Sequence, residues 1–112
     1  MRSKPPVSVF GQRLREARLS LAIPQDKLGA MIGLDETTAS ARISRYETGA
    51  HAPPFDIAVR LAHVLGVPVP YFYCDDGELA ILILGWNRLS RSGKKRVRTF
   101  IDAEAPKAPQ SR

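Results

Sequence analysis

The chain has 112 residues, an apolar fraction of 44%, a charged fraction of 25% and a formal net charge of +6. This length suits one domain with one modest core, and the composition is that of an ordinary globular protein. The longest apolar run, Leu79 to Leu84, is too short for a membrane span, and the single cysteine, Cys74, cannot form an internal disulfide.

The absence of targeting, metal-binding and catalytic motifs limits the kinds of protein this chain can be. The basic start, residues 1–6, is followed by no apolar segment, so we expect no signal peptide. No Cys/His cluster has metal-ligand spacing, and there is no Ser/His/Asp set or glycine-rich phosphate loop. We therefore expect a cytoplasmic protein with no enzymatic activity, cofactor, metal or membrane partner.

The charge is unevenly distributed. Residues 21–77 carry four basic and seven acidic side chains, whereas residues 1–20 and 78–112 hold the positive excess. A nucleic-acid partner would thus be attracted mainly by the two ends of the chain. The alternative is that the net charge only keeps the protein soluble.

The first predicted helix runs from about Val7 to Leu21. Its apolar side chains recur at helical spacing, and Ser8 is a candidate N-cap. Residues 1–6 before it are expected to be a disordered lead-in.

Two short helices are predicted around Gly33. Pro24 opens the first, in which Leu28 and Ile32 face inward, and the second ends at Glu47. Nine residues separate Gly33 from Ile43. Either the second helix begins early, or the turn between the helices is a longer loop.

A fourth helix follows Pro53 and Pro54 and ends at Gly66, and residues 69–73 form a short helical turn. Residues 79–84 are apolar on every side, so either a covered helix or a strand fits them. A last helix starts near Ser90, with Val97, Phe100 and Ile101 facing inward and a basic cluster, Lys94, Lys95, Arg96 and Arg98, facing outward. That cluster is either a solvated face or a contact to the DNA backbone.

The ordered motifs of residues 7–73 resemble the Cro/lambda-repressor-like (Xre) family of helix-turn-helix regulators. The matching pieces are Phe10-Gly11-x-x-Leu14-Arg15-x-x-Arg18, Gln25-x-x-Leu28-x-x-x-Ile32-Gly33, Ile43-Ser44-Arg45-Tyr46-Glu47-x-Gly49 and Ile57-x-x-x-Leu61-Ala62-x-x-Leu65-Gly66-Val67. The resemblance implies an all-α, five-helix bundle that binds double-stranded operator DNA, usually as a dimer. We expect a DNA-binding domain over residues 7–75, a C-terminal helical extension over 78–104 and a flexible tail over 105–112.

The resemblance also implies roles for individual residues. Arg18 and Glu47 would form a structural ion pair. Phosphate contacts would come from Gln25, Thr48, His51 and the basic Arg13 of the first helix. The base-reading candidates are Ser40, Ala41, Arg42, Ser44 and Arg45, to which the surplus residues before Ile43 add Thr37 and Thr38. The alternative for Arg42 and Arg45 is that both are solvated helix arginines.

Two further expectations concern packing. Gly29 replaces the alanine usual in the family, and Pro24 replaces its hydroxyl cap, which together would cost helix 2 about 1 kcal/mol and loosen the fold. Leu79, Leu82, Ile83 and Trp86 are expected to form a two-fold dimer interface, the alternative being monomer core.

The sequence therefore predicts a homodimeric, sequence-specific transcriptional regulator, a repressor of a partly palindromic operator. The rival is an antitoxin or interaction module of the same fold, which mainly grips a protein partner such as a toxin through residues 78–101.

Overall fold

The computed structural model describes residues 8–107, and every regular element among them is an α-helix. The helices are α1 (Val9–Ser20), α2 (Gln25–Met31), α3 (Ala39–Thr48), α4 (Phe55–Leu65), α5 (Val69–Phe72), α6 (Gly77–Arg88) and α7 (Arg91–Glu104). The predicted all-α class is confirmed. The expected lead-in, residues 1–6, and the part of the expected tail from 108 to 112 lie outside the described residues.

One fully buried side chain from each of the first five helices forms the centre of the core. These are Leu14, Leu28, Ile43, Leu61 and Phe72. The first four fall on apolar stripes at helical spacing, and Phe72 lies in the predicted short helical turn. Ser8 caps α1, because its Oγ accepts the N–H of Gly11 at 2.9 Å.

Gly29 lets α2 and α3 approach closely. A Cβ atom at Gly29 would lie 2.5 Å from the Cβ of Ala39, the first residue of α3. Gly29 therefore has a packing role in addition to its expected cost in helix propensity. The missing methyl group allows the two helices of the helix-turn-helix to pack against each other.

The surplus residues before Ile43 form a loop and not an extra helical turn. The α3 helix begins only at Ala39. In the loop, Asp35 Oδ1 accepts hydrogen bonds from both the N–H and the Oγ1 of Thr37, each at 2.8 Å. These two bonds also hold the pKa of Asp35 below its ordinary value. This local turn leaves Thr38 exposed directly before α3.

The segment 79–84, which fitted helix or strand, is helical and lies within α6. Ala80 is buried in the core, and Ile83 and Leu84 pack partly against it. The rest of the single chain does not cover this helix on every side, since Ile81 and Leu82 are 70% and 62% exposed.

The α7 helix also differs from its prediction. Ser90 caps it by accepting the N–H of Gly93 at 3.0 Å, as expected. Phe100 and Ile101 were expected to face inward, yet they are 65% and 53% exposed. The apolar sides of α6 and α7 are thus left largely open. No helix within residues 8–107 combines the length and apolarity needed to cross a bilayer.

Candidate nucleic-acid interface

The outer face of α3 is defined by what the helix buries. Ala39, Ile43, Tyr46 and Glu47 are buried and lie on one side, at helical spacing. The opposite side presents Ala41, Ser44, Arg45 and Thr48, of which only Ser44 is half-buried. Four predicted DNA-contact residues thus share one surface, which we call the outer face of α3.

Two other base-reading candidates, Ser40 and Arg42, lie on the flanks of this face. Ser40 is exposed, whereas Arg42 is half-buried. The Nη2 of Arg42 donates a hydrogen bond to the Tyr46 hydroxyl at 2.8 Å, and its guanidinium carbon lies 5.9 Å from the centre of that ring. The sequence pattern did not predict this partnership, although an Arg and a Tyr four residues apart on a helix are neighbours.

Three helices meet at a buried ion pair behind the outer face of α3. Arg18 of α1 donates from Nε and Nη2 to the two carboxylate oxygens of Glu47, at 2.5 and 3.0 Å. This hydrogen bonding raises the pKa of Arg18, against an opposing effect of desolvation. Arg18 Nη1 also donates to the carbonyl of Ile23 at 3.0 Å. The pair fixes the end of α3 against α1 and the start of α2.

Gln25 extends this network. It is the first residue of α2 and half-buried, and its Nε2 donates to Glu47 Oε1 at 3.1 Å. A side-chain amide nitrogen carries two N–H groups, so one remains for another acceptor. The link between Gln25 and Glu47 is a second contact that the sequence pattern did not predict.

Arg13 does not fit the phosphate-binding role predicted for it. Its side chain is only 12% exposed, its Nε donates to the carbonyl of Cys74 at 2.9 Å, and its Nη1 pairs with Glu16 at 3.2 Å. The guanidinium also lies 5.8 Å from the ring centre of Tyr71. The expectation for Arg13 is corrected, because this side chain joins α1 to the end of α5. Cys74 itself is half-buried.

Thr48 and His51 lie together at the end of α3. Thr48 Oγ1 donates to the carbonyl of Arg45 at 3.3 Å, and the backbone N–H of His51 donates to the same carbonyl at 3.2 Å. Both residues are exposed. Thr38 and Thr48 therefore mark the two ends of the outer face of α3.

A second exposed feature is an apolar groove between α6 and α7, which we call the α6–α7 groove. Its volume is about 730 Å³. It is lined by the four predicted interface residues Leu79, Leu82, Ile83 and Trp86, together with Pro68, Pro70, Ile81, Gly85, Leu89, Val97 and Ile101. Contiguous apolar surface of this kind marks a protein contact more often than a solvated face.

Within residues 8–107, no group of His, Cys, Asp and Glu side chains is arranged to hold a metal ion.

Another contact that the sequence did not reveal comes from Arg60 of α4. Its Nη1 donates to the carbonyl of Ile32 at 3.2 Å and so satisfies the C-terminal end of α2.

Comparisons with known proteins agree with this geometry. A family model described as helix-turn-helix matches residues 14–72. The crystal structure of the transcriptional regulator BswR is similar at 42% sequence identity and a TM-score of 0.79, and the match covers 83% of this chain and 92% of that one. None of the curated proteins matches the chain.

Proposed function

The chain belongs to the Cro/lambda-repressor-like (Xre) helix-turn-helix family of DNA-binding transcriptional regulators, and on that premise we propose that it is a repressor. It binds a partly palindromic operator as a homodimer in the cytoplasm and so blocks RNA polymerase.

The observation that carries this proposal is the outer face of α3. Its exposed Arg45 stands on a helix whose end is fixed by the buried pair of Arg18 and Glu47. Arginine makes the commonest specific contact in the major groove, a bidentate bond to guanine O6 and N7. The proposed base-reading residues are Thr38, Ser40, Ala41, Arg42, Ser44 and Arg45.

Phosphate contacts would fix the protein on the duplex on either side of α3. We assign them to the Gln25 side chain at one end and to Thr48 and His51 at the other. Gln25 retains a free amide N–H, and Thr48 and His51 are exposed next to the last turn of α3. Such contacts set register and orientation but carry no sequence information.

The α6–α7 groove would join the two protomers. Leu79, Leu82, Ile83 and Trp86 all line it, and Leu82 is 62% exposed in the single chain. A two-fold interface there would bring two α3 helices to the spacing of half-sites, about 34 Å apart. Residues 78–104 would then act as the dimerisation element, and residues 7–75 as the DNA-binding domain.

The proposal is tested by selecting bound duplexes from a random DNA pool at about 150 mM salt, at which nonspecific phosphate attraction is weakened. Enrichment of a two-fold symmetric site is the expected result. Enrichment of a single asymmetric half-site would contradict the dimer. No enrichment by folded protein would contradict sequence-specific binding.

A second candidate function rests on the same groove. An antitoxin or interaction module would use the open apolar surface of α6 and α7 to grip a protein partner such as a toxin. Co-purification of such a partner in a 1:1 ratio, combined with failure to enrich any duplex, would favour this function over the regulator.

A further inference from the structure

Arg42 does not extend freely from α3. Its Nη2 lies 2.8 Å from the hydroxyl of Tyr46, and its guanidinium carbon is 5.9 Å from the centre of the Tyr46 ring. The hydrogen bond fixes the direction of the guanidinium, and the ring limits where its plane lies. Arg42 is therefore held at one edge of the outer face of α3 before any ligand arrives.

Tyr46 is suited to hold another side chain because it is itself immobilised. It is only 4% exposed and belongs to the buried core cluster. Side chains in a core pack closely against their neighbours and sit in a preferred rotamer. The position of the Tyr46 hydroxyl is thus set by the core.

Arg42 keeps the capacity to bind a base while held in this way. A guanidinium carries five N–H groups, and the bond to Tyr46 uses one of them. No carboxylate within residues 8–107 forms a salt bridge with Arg42. Guanine recognition needs two N–H groups in one plane, and a side chain already oriented loses less rotamer freedom when it binds.

We propose that Tyr46 is a positioning residue for base recognition, whose hydroxyl holds the Arg42 guanidinium in the orientation that meets a guanine. This inference rests on the proposed function, because it assumes that the protein reads a DNA sequence. It adds a specificity determinant that lies in the core and does not itself touch a base.

Tyr46→Phe tests the inference, because it removes the hydroxyl and keeps the ring. The measured quantity is the ratio of two affinities, one for the selected duplex and one for the same duplex changed at a single base pair. That base pair is the one at which Arg42→Ala loses its base preference. In Tyr46→Phe we expect this ratio to fall about 3- to 10-fold, the worth of one hydrogen bond. Affinity for unrelated DNA should not change, since no phosphate contact is removed.

Tyr71→Phe is the matched control. Tyr71 is also buried, at 5% exposure, and its hydroxyl bonds Glu16 at 3.4 Å, away from α3. The affinity ratio should be unchanged in this variant. An equal fall in both variants would overturn the inference, because a general loosening of the core would then account for both.

A double variant separates positioning from structure. On an Arg42→Ala background, Tyr46→Phe should have no further effect on the affinity ratio, because the side chain it orients is gone. An additive effect would overturn the inference. In the free protein, the N–H protons of Arg42 should exchange with solvent faster in Tyr46→Phe than in the wild type, and equal exchange rates would also contradict it.

The two proposals fail in different ways. If Arg42→Ala retains every base preference while Arg45→Ala does not, the regulator function stands and the inference about Tyr46 falls. If the wild-type protein enriches no sequence at all, both fall.

Discussion

The side-chain amide of Gln25 donates to Glu47 Oε1 over 3.1 Å, which connects the first residue of α2 to the end of α3. Glu47 also accepts two bonds from the Arg18 guanidinium, so one carboxylate joins three helices. A residue proposed to contact phosphate and the helix proposed to read bases are therefore fixed to each other through Glu47.

Glu47→Gln should destabilise the fold strongly. The change keeps the shape of the side chain but removes its charge, so Arg18, which is 10% exposed, becomes a buried charge without an opposite charge beside it. Breaking a buried pair in this way costs about 3–5 kcal/mol. Urea unfolding measures the loss. The control is Asp56→Asn, because Asp56 and its partner Arg60 are 68% and 53% exposed and losing their ion pair should cost less than about 1 kcal/mol. Equal losses would contradict the structural role of Glu47.

Gly29→Ala should also destabilise the protein, although alanine favours a helix. The new methyl group would meet the Cβ of Ala39 at 2.5 Å, and overpacking of this kind costs about 1–3 kcal/mol. Gly77→Ala at the start of α6 is the counterpart, because nothing lies within 4 Å of the added atom and Gly77 does not line the α6–α7 groove. There we expect no loss of stability, since alanine favours a helix more than glycine does. A stabilising Gly29→Ala would show that α2 and α3 are not in close contact.

Stability should decline at alkaline pH because of Tyr71. Burial raises the pKa of Tyr71 above its ordinary value, the charge of Glu16 adds to the shift, and Arg13 opposes it. A pKa raised on folding means that the contribution is fully present below the unfolded-state value of about 10 and is lost as pH rises above it. Tyr71→Phe should therefore show a shallower decline than the wild type in unfolding measured above pH 10. Parallel curves would contradict the shifted pKa.

Leu82→Asp should convert the proposed dimer to monomer without unfolding it. Leu82 is 62% exposed in the single chain, so a charge there disturbs the α6–α7 groove and not the core. Light scattering measures the mass, and circular dichroism checks the helix content. Leu19→Asp on α1 is the control, because Leu19 is 50% exposed and does not line the groove. Leu19→Asp should leave the mass unchanged. If the mass is also unchanged in Leu82→Asp, the interface lies elsewhere.

Much of the core was predictable from sequence because it depends on local spacing. Leu14 and Leu61 lie on apolar stripes, and the structure buries both completely. The sequence does not decide between a loop and an earlier helix start before α3, since Asp35 and Thr37 suit both. Their mutual hydrogen bonds and the contact of Gly29 with Ala39 favour the turn.

The misassigned residues depend on partners far away in sequence. Arg13 bonds the carbonyl of Cys74, 61 residues later, and no local pattern reveals this. Phe100 was expected to be buried because its helical spacing indicates an apolar face. Spacing alone does not show whether another element covers that face, and in the structure Phe100 is exposed. The role of residues 78–104 in dimerisation therefore remains a prediction.

The most direct test of the central claim compares Arg45→Ala with the wild type on two duplexes, the selected operator and an unrelated sequence. Because Arg45 is proposed to bond a guanine, the variant should lose specific affinity by about 1–3 kcal/mol and retain nonspecific affinity. Arg91→Ala, which removes an exposed arginine of α7, controls for the loss of charge. Equal loss by Arg45→Ala on both duplexes would contradict base reading by the outer face of α3.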